Sequence, residues 1–148
     1  MAKWRLIAGY ILVATWMFVI YLMSNEVADA SSLRSDEIVR SIQSIGISAS
    51  ADLLTFLVRK AAHISAYFIL GILLFNLLKE YGLGVKKIIF VSIAIAMLYA
   101  CTDELHQMFV PGRSGEVRDV LIDTAGAAVG VVAYAALRSR FYKKSEKV

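Results

Sequence analysis

The chain has 148 residues, 59% of them hydrophobic, with sixteen Lys and Arg against twelve Asp and Glu. Ordinary soluble domains sit near about 45–50% apolar, so this excess argues against a water-soluble fold and leaves room for one compact membrane bundle without a second domain. The net charge of +4 does not point to nucleic acid, because the basic residues flank apolar stretches and form no single stripe.

The first apolar stretch runs from Leu6 to Met23, with Lys3 and Arg5 before it and Trp4 and Tyr21 placed as an aromatic belt would be. Ala28-Asp29-Ala30 resembles a signal-peptide cleavage site. The stretch is longer than the roughly 7–15 residues of a signal core, so a retained transmembrane helix is expected. Residues 24–58 are too many for a plain loop. Ser35, Asp36 and Glu37 look like a helix start, with a hydroxyl cap and first-turn acids. Ile38, Val39, Ile42 and Ile45 then recur at helical spacing, which predicts a short amphipathic helix on the outer membrane surface or over the bundle mouth. A further helix from about Ala51 is expected to run straight into the second span.

That second span is Ala61 to Leu78, with Arg59, Lys60 and His63 at its start. The third is Ile88 to Cys101, extendable through Leu105, and the fourth is Val120 to Leu137, interrupted by Asp123. Each approaches the roughly 20 residues that cross about 30 Å of hydrocarbon. Backbone groups must pair internally there, so the spans are helices. The expected fold class is all-α: a polytopic bundle of four transmembrane helices plus a short amphipathic outer helix. Cys101 is the single cysteine, so no internal disulfide can form.

Orientation follows from the basic residues. Lys3 and Arg5, then Lys79, Lys86 and Lys87, then Arg138, Arg140, Lys143, Lys144 and Lys147 lie on one side. Arg34, Arg40, Arg59, Lys60, Arg113 and Arg118 lie on the other. Ten against six puts both termini in the cytoplasm. The acids Glu26, Asp29, Asp36, Glu37 and Asp52 then lie outside, as does the charged segment after the third span.

That segment, Thr102 to Asp123, reads TDELHQMFVPGRSGEVRDVLID between two apolar stretches. A charge at a bilayer centre costs about 2.5–3.5 kcal/mol on insertion scales, so such density marks the seat of function. Helical spacing aligns Lys60, His63, Tyr67, Gly71 and Leu74 on the second span. It aligns Tyr99, Asp103 and His106 on the third, and Asp119, Asp123, Gly126 and Gly130 on the fourth. Ionisable groups in spans face the bundle interior. Lys60, His63, Asp103, His106, Asp119 and Asp123 are therefore expected to meet in one outward-opening pocket. Gly126 and Gly130 permit close helix approach, within the bundle more than between copies. Pro111-Gly112-Arg113 is a turn, and its loop could dip back so that Arg113 presents a planar fork to a carboxylate or phosphate.

Three readings of the cluster compete. Lys60 and Arg113 can bind an anion. His106 can act as general base, oriented by Asp103 or Asp119, although no serine or cysteine stands out as nucleophile. Lys60, Arg113 and Arg118 can instead neutralise Asp103, Asp119 and Asp123 in a network that only fixes helix register. His63, His106, Asp103, Glu104 and Asp119 are suitable metal ligands. No HExxH or Cys/His spacing assembles them, and no metal or cofactor is expected.

Lys60-Ala61-Ala62-His63, Tyr67 and Gly71, Thr102-Asp103-Glu104-Leu105-His106-Gln107, Phe109-Val110-Pro111-Gly112-Arg113 and Asp119 through Gly126 resemble the VanZ-like membrane proteins. The polar edge at Ser24, Ser31 or Ser32 and Ser35 fits the same pattern, and the resemblance covers nearly the whole chain. It implies a bacterial integral membrane protein of few helices. The family takes its name from a protein that lowers susceptibility to the glycopeptide teicoplanin without altering the peptidoglycan precursor terminus. No catalytic residues carry over. What carries over is the motif: Lys60, His63, Tyr67, Asp103, Glu104, His106, Gln107, Arg113, Asp119 and Asp123. The function expected from this is binding more than turnover, with a membrane lipid or lipid-linked cell-wall precursor as partner. The sequence leaves the oligomeric state open.

Overall fold

The computed structural model describes the backbone of residues 3–25, 28–46 and 49–145, and the side chains of 3–25, 35–46 and 49–139. Glu26, Asp29, Ser31, Ser32, Arg34, Arg140, Lys143, Lys144 and Lys147 lie outside the described side chains.

Among the described residues five α-helices follow one another: α1 (Lys3–Ser24), α2 (Ala28–Ser44), α3 (Ala51–Leu78), α4 (Val85–Gln107) and α5 (Val117–Ser145), with one 3-10 turn (Lys79–Tyr81) after α3. Among the described residues there is no strand. Four helices, α1, α3, α4 and α5, are long and apolar enough to cross a membrane. Their outer faces carry Ile7, Ile11, Phe18, Phe90, Leu98, Leu121 and Val129, all exposed. So much contiguous apolar surface suits hydrocarbon and not water. The protein is a multi-pass membrane bundle.

Bundle packing cannot rest on the hydrophobic effect once lipid surrounds it, so close backbone approach carries more of the burden. The α3–α5 seam is built for that. A Cβ on Gly126 would stand 2.8 Å from the Ile64 carbonyl oxygen, and Cβ atoms on Gly71 and Gly130 would run into the carbonyls of Ala127 and Phe68. The glycines of the fourth span thus serve packing within the chain. Beside this seam Tyr67, Leu70, Leu74, Ala96, Ala100 and Ala127 form the core. α1 is the peripheral helix, tied on by hydrogen bonds from Trp16 Nε1 to the Ala66 carbonyl (2.8 Å) and from the Tyr99 hydroxyl to the Met17 carbonyl.

α3 begins at Ala51, as expected, capped by Ser50, whose side chain accepts from the Leu53 amide, with Asp52 in the first turn. It therefore extends well before the apolar span at Ala61. α2 starts at Ala28 and not at Ser35, which lies buried inside the helix. α2 packs on the α3 extension, with Val39 buried and Thr55 Oγ1 donating to Asp36 Oδ1 at 3.5 Å. α5 starts at Val117 and includes the charged turn before the apolar span; the amide of the preceding Glu116 donates to Glu104 Oε2.

Candidate functional site

The C-terminal ends of α1 and α4 and the N-terminal halves of α3 and α5 come together at one end of the bundle. Across the α3–α5 seam Lys60 Nζ donates to Asp119 Oδ1, and the two side chains stay 20% and 18% exposed. Asp119 lies in the first turn of α5, where the helix dipole also favours a negative charge. One turn deeper His63 Nδ1 lies 3.4 Å from Asp123 Oδ2. Asp123 is 1% exposed, and its Oδ1 has no hydrogen-bond partner among the described residues. Deeper again, Tyr67 is wholly buried against Tyr99, its hydroxyl likewise unpartnered and within electrostatic reach of Asp103 and Asp123.

The end of α4 supplies a second row. Asp103 Oδ2 accepts from Ser24 Oγ of α1 at 2.8 Å and from Gln107 Nε2 at 3.4 Å. Glu104 Oε2 accepts the Glu116 backbone amide at 2.8 Å, and its Oε1 accepts Gln107 Nε2 at 3.2 Å. Glu104 thus holds the start of α5 against the end of α4. Between these helices the chain turns at Pro111-Gly112. Gly112 has φ +77°, and the Arg113 amide donates to the Val110 carbonyl at 3.1 Å, the type II arrangement that asks for glycine at this place. The turn carries Arg113 back over the bundle, where Nη1 donates to Gln107 Oε1 and Nη2 to the Met23 carbonyl, both at 3.4 Å.

Above these residues lies a cavity of about 320 Å³. Arg59, Lys60, Arg113 and Arg118 line it together with Asp52, Glu116 and Asp119, so among the described residues fixed positive charge exceeds negative by one. Its rim is exposed at Asp52, Phe56, Ser114, Glu116 and Arg118; His63 and Gln107 lie further in. The Phe56 ring is approached by Lys60 Nζ at 5.4 Å and Arg118 Cζ at 5.9 Å, cation–π distances that help hold both cations at the mouth.

A family model described as VanZ/LLP1 matches residues 9–138, most of the chain. The chain belongs to the VanZ/LLP1 family. Neither a curated protein nor a solved structure matches it.

In this VanZ/LLP1 protein Lys60, His63, Gln107, Arg113 and Asp119 line the cavity, while Tyr67, Asp103, Glu104 and Asp123 lie buried near it. His106 does not join them. Its ring lies tilted against Tyr21, with centroids 4.8 Å apart, and its Nε2 meets the Asn25 amide oxygen at 3.1 Å. The side chain expected as a general base beside Asp103 or Asp119 has a neutral amide as its hydrogen-bond partner here. It is not among the residues that line the cavity. Asp52, Thr55, Phe56 and Arg59 were missed as lining residues. Their signal was legible, since they precede Lys60 and His63 at helical steps of three and four on one face of α3.

Proposed function

We propose that this VanZ/LLP1 protein acts at the outer face of a bacterial membrane, in the cell envelope, by holding an anionic lipid head group or the phosphates of a lipid-linked cell-wall precursor. The observation that carries this reading is the cavity ringed by Arg59, Lys60, Arg113 and Arg118 at the end of an apolar bundle. Guanidinium groups suit phosphate oxygens through their planar fork, and the lipid-facing walls suit acyl or prenyl chains. The excess of Lys and Arg at the opposite end supports an outward cavity and cytoplasmic termini. Protection against teicoplanin would follow if the bound molecule belongs to the pathway that the glycopeptide attacks.

The test is teicoplanin susceptibility of a sensitive Gram-positive host expressing wild type, Arg113→Lys or Arg113→Ala, with membrane abundance checked by immunoblot. Wild type should protect, and both variants should lose protection at equal abundance. Lys keeps the charge and loses the fork, so an Arg113→Lys protein that protects fully would remove the phosphate-fork reading. Protection by Arg113→Ala as well would favour a cluster that only fixes helix register. No protection by wild type would rule out the resistance role.

A further inference from the structure

One cluster beside the cavity is unexplained by anion binding. His63, Asp103 and Asp123 each direct a ligand atom into one region, and these atoms lie within 4.8 Å of one another. The three residues come from α3, α4 and α5. Asp103 and Asp123 are both buried, and the hydrogen bonds on Asp103 come from neutral donors, Ser24 and Gln107. Lys60 is engaged by Asp119. Two adjacent buried carboxylates beside one imidazole repel each other and are costly unless a proton or a cation joins them.

A second observation points to a ligand. Asp123 Oδ1 and Tyr67 Oη have no hydrogen-bond partner among the described residues, although both residues are essentially inaccessible to solvent. Buried polar atoms in native proteins are nearly always satisfied. Tyr67 follows His63 by one turn on the same face of α3, within electrostatic reach of both carboxylates.

We propose that His63, Asp103 and Asp123 form a binding site for one divalent transition-metal cation, Zn2+ or Mn2+, at the floor of the cavity. The donor set of one imidazole and two carboxylates suits these ions. Tetrahedral ligands at about 2.0–2.2 Å from an ion stand about 3.3–3.6 Å apart; His63 Nδ1 and Asp123 Oδ2 are already 3.4 Å apart, and the widest pair, within 4.8 Å, has to draw in by up to about 1.5 Å. His63 also lines the cavity, which leaves the remaining coordination positions facing it. The ion would there add positive charge for an anionic head group. That role rests on the function proposed above; the site itself does not.

The experiment is calorimetric titration of the chelator-stripped, detergent-purified full chain with ZnCl2 and with MnCl2 at neutral pH, in the absence of lipid. One ion per chain is expected for at least one of the two. Asp103→Asn and Asp123→Asn should each weaken binding by at least about tenfold, the usual scale for disturbing a metal site. Asp119→Asn, which removes a carboxylate of the same cavity outside the cluster, should change it by less than about threefold. If a carboxylate variant does not accumulate, His63→Gln takes its place with the same expected loss. The proposal is overturned if neither salt gives saturable one-to-one binding tighter than about 100 μM, or if Asp119→Asn loses as much as Asp123→Asn. A chain that binds anionic lipid but neither ion sinks this inference alone. A chain that binds the ion but no lipid sinks the head-group reading alone.

Discussion

Replacing Gly130 by alanine should loosen the bundle at the seam that sets the site. The added Cβ would overlap the Phe68 carbonyl oxygen and stand 3.0 Å from its carbonyl carbon and 3.2 Å from the Phe68 Cα. All three atoms are backbone, so none can rotate aside. Carbon contacts are most favourable at about 3.5–4.0 Å, which requires α3 and α5 to part by about half an ångström or more. Overpacking of this kind costs about 1–3 kcal/mol, and alanine returns about 0.8–1 kcal/mol of helix propensity. A net loss of up to about 2 kcal/mol follows from those two terms. Gly130 lies about two turns beyond Asp123, so the parting also stretches the Lys60–Asp119 and His63–Asp123 contacts. The assay is thermal unfolding of the detergent-purified protein followed by helical circular dichroism, with Val129→Ala, at an exposed position of the same helix, as control. Val129→Ala should stay within about 0.5 kcal/mol of wild type. A Gly130→Ala protein that melts with wild type would refute the argument that backbone contact at this seam limits helix approach.

Three further outcomes are expected. Lys60→Met strands Asp119 and should cost about 1–3 kcal/mol, less than the 3–5 of a fully buried pair because both groups keep about a fifth of their exposure. The double variant with Asp119→Asn should recover most of that loss in the same melting assay. Glu104→Gln exchanges a charge-assisted bond to the Glu116 amide for a neutral one, worth about 1 kcal/mol; hydrogen exchange should rise across residues 108–118, and unchanged protection there would show that Glu104 does not hold the start of α5. Trp16→Phe removes the donor to the Ala66 carbonyl and should cost only about 0.6 kcal/mol, the mean for interhelical bonds in membranes; a loss of several kcal/mol would mean that α1 depends on this one bond.

Much of the fold was legible in residue order because lipid imposes a simple rule. An apolar run of spanning length has to be a helix, so the four spans could be read from Leu6–Met23, Ala61–Leu78, Ile88–Leu105 and Val120–Leu137 without tertiary information. The helix ends were less legible. α2, α3 and α5 extend beyond the apolar runs, where capping and tertiary contacts decide the boundary and hydropathy does not. The face of each helix was legible from its 3.6-residue period, which aligned Lys60 with His63 and Asp119 with Asp123.

What sequence could not give was the rotation of each helix about its own axis relative to its neighbours. Asp103 and His106 share a stripe by spacing, yet they meet different neighbours. Packing turns Asp103 towards His63 and Asp123, and leaves His106 with Tyr21 and Asn25. Glu104, singled out in the sequence with no stated partner, is committed to the α5 N-terminus. The sequence by itself determined that a polar cluster would interrupt an apolar bundle. The tertiary structure decided its membership, through the glycine seam at Gly71, Gly126 and Gly130. The physical reason is that hydrophobicity is a property of each residue, whereas the phase between two packed helices is fixed by where their backbones can touch.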